Sequence, residues 1–220
     1  HPGILYCNVI AKNNYKNGWT FTIDAPLIPA ARSVFSVLSN IKRGQMGEPG
    51  DYSAPEVIES NPYYEFFRLC NEANWDLIVK SGLVNESKYD KTSVNGLNAL
   101  TKAVNKYMTF VDNNAVDYNV QFFDNFNYTV FVPTNEAVRE AIANGLPTWE
   151  SIEQDFEASM NEEEVLTTKE DSLRIQYKIT YLTNFIRTHF ADNTIFADKS
   201  DMNAELITSS FNNETGLFIK

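Results

Sequence analysis

Cysteine and histidine are both scarce in this chain, with two of each among 220 residues. Cys7 and Cys70 cannot form the disulfide framework of a small stapled domain. A buried apolar thiol is the expectation for Cys70, with a Cys7–Cys70 bond as the alternative. No Cys/His cluster has zinc spacing. With His1 at the N-terminus, a Ser-His-Asp device would have to use His189. There is no Gly-x-Ser-x-Gly elbow, and no glycine-rich phosphate loop follows a strand. Basic residues are also short: 18 Lys and Arg against 29 Asp and Glu, a formal net charge of −11. A surface of that sign repels phosphate backbones and anionic lipid heads, which argues against nucleic acid as a partner. No apolar run approaches the ~20 residues of a membrane span. No signal peptide is visible, so an export signal is expected to have been removed or to lie outside this segment.

What the chain does have is apolar mass. It is 43% hydrophobic and 13% aromatic, enough to bury a core. Residues 1–30 read as strands and turns. Ile4 to Ile10 favours strand, Asn13 to Gly18 is a polar turn with a hairpin signal at Asn17-Gly18, and Trp19 to Ile23 alternates as a half-buried strand. Pro26 and Pro29 then take the chain out of the sheet. Residues 31–43 read as a helix with Ser33 as cap and Val34, Val37, Leu38 and Ile41 on one face, and 44–54 as a linker. Asn61 to Gly82 is expected as one long helix, with Phe66, Phe67, Cys70, Trp75, Leu77 and Ile78 inward.

Residues 85–124 read as an enlarged insertion, helical over Leu97 to Tyr107 and strand-like over Tyr118 to Phe123. Pro147 and Thr148 open a helix with Trp149, Ile152 and Phe156 inward. Glu157 to Glu170 is an acidic loop, and its Glu162-Glu-Glu164 run reads as a solvated face rather than a metal site. Leu173 to Phe190 is a second long helix with Ile175, Ile179, Leu182, Ile186 and His189 at helical intervals. The rest, from Thr194, is strand-like at Ile195-Phe196, Glu205 to Thr208 and Gly216 to Lys220.

The most informative stretch runs from Asn127 to Val138. Tyr128 to Val132 is short and apolar enough for a buried strand, and Pro133 ends it because proline has no N–H for a ladder. Thr134 or Asn135 can then cap a helix that opens with Glu136. Ala137, Val138, Ala141 and Ile142 give that helix its apolar face, and Gly145 stops it.

Thr129-Val-Phe-Val-Pro-Thr-Asn-Glu-Ala-Val138 resembles the first conserved box of the fasciclin (FAS1) domain, with Val138 in place of the usual aromatic. Together with Tyr128 it is most similar to fasciclin-like surface lipoproteins of Bacteroidota. Asn184-Phe-Ile-Arg-Thr-His189 resembles the family's central box, with Thr188 where Tyr is usual. Asn17-Gly18, Ile23-Asp24 and Leu27-Ile-Pro29 resemble the end of such a domain, although they precede the first box.

The resemblance implies an α+β fold, a wedge of small β-sheets flanked by several helices. It implies that 56–220 is one fasciclin domain with an insertion at 85–124. Residues 31–55 are then helix and linker. Residues 1–30 would be the closing strands of a preceding repeat, or strands completing this domain. The boxes make Thr129, Phe131, Pro133, Thr134, Asn135, Ala137 and His189 structural residues, with His189 expected to be partly buried and hydrogen-bonded to the backbone of the first-box turn. No catalytic residue, cofactor or metal is expected.

The implied activity is noncatalytic binding of protein or glycan at the extracellular face of the outer membrane, held there by a lipid anchor outside this fragment. An accessory lipoprotein of a SusC/SusD-type nutrient-uptake complex is the alternative, and a glycan-processing enzyme a third. Trp19, Trp75 and Trp149 fall on core faces, whereas Tyr52, Tyr89 and Tyr118 lie beside loops and are the candidates for a contact surface. Asn85-Glu-Ser, Asn127-Tyr-Thr and Asn213-Glu-Thr match the N-glycosylation triplet, which a bacterial origin would leave silent.

Overall fold

The computed structural model describes residues 8–24, 34–39, 60–112, 118–120, 128–161, 166, 168–191, 205–207 and 216–218. The chain divides into two units, residues 1–33 and residues 34–220.

In the first unit, β1 (Val9–Tyr15) and β2 (Gly18–Ile23) form an antiparallel hairpin. Tyr15 pairs with Gly18, so the turn is only Lys16 and Asn17. Gly18 has φ +147°, which a residue with a Cβ rarely adopts. The turn expected over 13–18 is therefore tighter than its composition suggests, because Asn13 and Asn14 stay in the ladder. The open end is tied by Asn8, whose backbone N–H and side-chain amide each donate to the Asp24 carboxylate at 2.7 Å. Those bonds hold the Asp24 carboxyl below its ordinary range.

Trp19 and Phe21 are 54% and 55% exposed, which corrects the expectation of a half-buried strand with Trp19 in the core. Alternation decides which side of a strand a residue faces. A two-stranded sheet has no layer of its own to lay over that side. Lys12 Nζ sits 4.2 Å from the Trp19 ring centre and 5.6 Å from that of Phe21. The strand expectation at Ile4 to Ile10 and the turn at Pro26 and Pro29 fall largely or wholly outside the described residues.

The second unit is mixed α+β, with helices around one core and small antiparallel strand pairs. Helix α1 (Val34–Leu38) buries Phe35 and Leu38 and leaves Val37 exposed, so its inner face is turned from the one expected. Phe35 sets the turn: its ring meets Phe67 and Phe110 edge-on, at 5.5 Å and 5.1 Å between centres. Ser33, Ile41 and the linker at 44–54 lie outside the described residues.

The long helix expected over 61–82 is two helices, α2 (Tyr64–Asn71) and α3 (Trp75–Lys80). Asn74 makes the break. Its backbone is extended and its side-chain oxygen accepts the Leu77 N–H at 3.2 Å, an N-cap in the middle of an apolar pattern. Phe66, Phe67, Leu69 and Cys70 from α2, and Leu77 and Ile78 from α3, are all buried. Cys70 is a free thiol as expected, and burial pushes its pKa up despite a hydrogen bond with Thr109.

Within 85–124, α4 (Val94–Asn105) begins three residues before the expected Leu97, because Ser93 caps it by accepting the Gly96 N–H at 3.1 Å. β3 (Phe110–Asp112) pairs antiparallel with β4 (Tyr118–Val120). Leu100, Val104 and Phe110 are buried in the common core. This segment therefore builds the core as well as enlarging the surface.

Two further helices close the unit. Helix α6 (Trp149–Ala158) starts from a capping box in which Thr148 and Ser151 satisfy each other's backbone N–H groups. Trp149, Ile152 and Phe156 are inward as expected, and the Trp149 indole N–H donates to the Leu69 carbonyl at 2.8 Å. Helix α7 (Lys169–Thr188) starts at the Thr168 cap, four residues earlier than expected, and Leu173 falls on its exposed side. Ile175, Ile179, Leu182 and Ile186 are its buried stripe. Arg174 and Lys178 on α7 reach Asp155 on α6 at 3.1 Å and 2.8 Å. Their hydrogen bonds, Arg174 first, hold the Asp155 carboxyl below its ordinary range. β7 (Glu205–Ile207) and β8 (Gly216–Phe218) pair antiparallel. Glu162 to Glu164 and Ile195-Phe196 lie outside the described residues.

Candidate functional site

The residues singled out by the motif converge on one junction. β5 (Thr129–Val130) pairs antiparallel with β6 (Phe190–Ala191), placing Thr129 opposite Ala191 and Val130 opposite Phe190. The Phe131 N–H extends the ladder by donating to the His189 carbonyl at 2.8 Å. Pro133 cannot continue it. The chain turns at Thr134, whose Oγ accepts the Ala137 N–H at 3.3 Å and opens α5 (Asn135–Ala143).

Asn135 is not the cap. Its side-chain oxygen accepts the Glu65 N–H at the start of α2, and its amide donates to the Asn61 carbonyl, both at 3.0 Å. Asn61 passes the connection on: its amide donates to the Leu38 carbonyl at 2.7 Å, and its side-chain oxygen accepts the Tyr63 N–H at 2.9 Å. Two asparagines thus bind the end of α1, the start of α2 and the start of α5. Arg139 reinforces the last joint with a 3.0 Å contact to Glu65. Asn61 had no signal in the sequence beyond standing next to Pro62, and two of its partners, Leu38 and Asn135, are far along the chain.

Burial along this stretch differs from expectation in two places. Tyr128, Val130 and Val132 pack against the core, whereas Phe131 is half-buried and stands outside that group. The period-2 alternation of an extended chain puts Phe131 with Thr129 on the opposite face. The ring buried at the centre is instead Phe190, which lies 6.4 Å from Phe66 and 6.3 Å from Tyr128 between ring centres. Ala137 is exposed, so the apolar face of α5 is Val138, fully buried, with Ala141 and Ile142 partly so. Gly145 ends α5 at φ +103°, with its N–H donating to the Ile142 carbonyl and the Leu146 N–H to that of Ala141, both at 3.0 Å.

His189 is the C-cap of α7. Its Nδ1 lies 2.8 Å from the Phe185 carbonyl, so in the neutral ring Nδ1 carries the proton and Nε2 the lone pair. The ring packs on Phe185 and Phe66, at 4.8 Å and 5.1 Å between centres. Burial lowers its pKa from 6.5, outweighing the backbone hydrogen bond. The expected bond to the first-box turn is not the one made: the ring bonds to the Phe185 carbonyl, and the His189 backbone carbonyl meets the strand before the turn, at the Phe131 N–H. Thr188 donates its hydroxyl to the same Phe185 carbonyl at 2.6 Å. Chemically this junction is a clasp. Its imidazole proton goes to a backbone carbonyl, as does the Thr188 hydroxyl, and the Thr134 hydroxyl caps a helix.

The tyrosines fare differently. Tyr89 is half-buried and packs against the core, which corrects its reading as an exposed contact; it directly follows a 3-10 turn at Glu86–Lys88 that leads the chain back inward. Tyr118 lies in β4 opposite Asp112, with its side chain outside the described residues, as is all of Tyr52. Trp75 is half-buried against the core. Asn85 is exposed, and its side-chain oxygen accepts both the Ser87 N–H at 3.0 Å and the Ser87 hydroxyl at 2.6 Å.

Among the described residues, no group of three or more His, Cys, Asp or Glu is placed to hold a metal ion, and no helix is long and apolar enough to cross a membrane. No protein-family model, curated protein or solved structure matches the chain.

Proposed function

We propose that residues 56–220 form a fasciclin-type domain that works without catalysis, as an interaction module for protein or glycan at a bacterial cell surface. The observation that carries this reading is the joining of the two motif segments. The first box and the strand after His189 lie on one two-stranded ladder, extended by the bond from Phe131 N–H to the His189 carbonyl. The fasciclin resemblance expects His189 beside the first box, and neither segment's composition demands that meeting of segments far apart in the chain. The bonding of His189 supports the noncatalytic part. A Ser-His-Asp device places a carboxylate on the imidazole Nδ1–H. Here the orienting group is the Phe185 backbone carbonyl, and the ring lies against two phenylalanines.

In this proposal 1–30 are the closing strands of another repeat or strands completing this domain, and the module is held at the outer membrane by a lipid anchor. Affinity capture from native outer membranes, followed by mass spectrometry, tests it alongside binding to matrix-protein and glycan arrays. Saturable binding to a matrix protein or glycan, without a co-purifying transporter, is expected. Stoichiometric recovery with a SusC/SusD-type barrel would make the chain an accessory lipoprotein of an uptake complex instead. Hydrolysis of an arrayed glycan, abolished by substitution of a single Asp or Glu, would overturn the noncatalytic reading.

A further inference from the structure

We draw no further inference here: the strongest candidate, the exposed Trp19–Phe21 face of the β1–β2 hairpin with Lys12 between the rings, is an unpartnered apolar surface, and nothing in the structure shows what covers it.

Discussion

Two strand pairs in this protein contrast in almost every respect. The β1–β2 hairpin has strands of seven and six residues, yet Val9, Ile10, Tyr15, Trp19 and Phe21 are each more than half exposed. The β5–β6 pair has strands of two residues, yet Phe190 and Ala191 are fully buried, and Tyr128 and Val130 pack beside them. Hydrogen bonds in a ladder largely replace bonds to water, so each adds only about 0.5–1.5 kcal/mol net. Removing apolar area from water stabilises more. The short pair is therefore the better anchored, because Val130, Phe190 and Ala191 also lie in the core or pack against it. The long pair is held by its own register, its Asn8–Asp24 clasp and one cation–π stack.

That contrast can be broken by substitution. The largest effect is expected from Phe190→Ala, about 3–5 kcal/mol lost in urea unfolding followed by circular dichroism, since the ring is fully buried among Phe66 and Tyr128. A loss under about 1 kcal/mol would mean that β5–β6 is a surface contact after all. Asn135→Ala comes next, at about 1–3 kcal/mol, because it strands the Glu65 N–H and the Asn61 carbonyl at once. Asn135→Asp should recover only part of that loss, by restoring the acceptor but not the donor.

His189 sharpens the comparison through pH. Its folded pKa lies below 6.5, so it contributes stability that is complete above 6.5 and is lost as pH falls through the lowered folded value. The wild-type melting temperature should therefore fall between about pH 7.5 and 5 more steeply than that of His189→Gln. Parallel curves would show that the ring is solvated. The smallest effect is expected from Trp19→Ala or Phe21→Ala, each within about 0.5 kcal/mol of wild type. A cost there matching that of Phe190→Ala would erase the distinction between the two pairs.

How far the fold could be read from sequence follows from the range of each interaction. The helix starts at Thr134, one of two cap candidates with Asn135, and at Pro147-Thr148 are legible because an N-cap bonds only two or three residues ahead. The stripe of α7 was legible because four isoleucine and leucine positions repeat at helical spacing. The break at Asn74 was not, since the apolar pattern runs through it and one side-chain bond decides the matter. The exposure of Trp19 was not legible either, because alternation sets a face without supplying a neighbour. At the motif, the strand, the turn and the cap were foreseen. The roles of Asn135 and Asn61 were hidden because the bonds joining them to each other and to Glu65 cross 70 or more positions of sequence. The half-burial of Phe131 was hidden for a similar reason: which face of a two-residue strand is inside depends on the partner strand, and not on the motif itself.

The buried thiol has a use that packing alone does not suggest. Only a thiolate reacts quickly with alkylating reagents, and Cys70 is fully enclosed with its ionisation suppressed. Reagent can therefore reach it only when α2 lifts from the helices around it. In a Cys7→Ser background, the rate of modification at Cys70 would time those openings directly, and Phe190→Ala should speed it where Phe21→Ala does not. The protein carries its own clock for the breathing of its core, set by one sulfur atom.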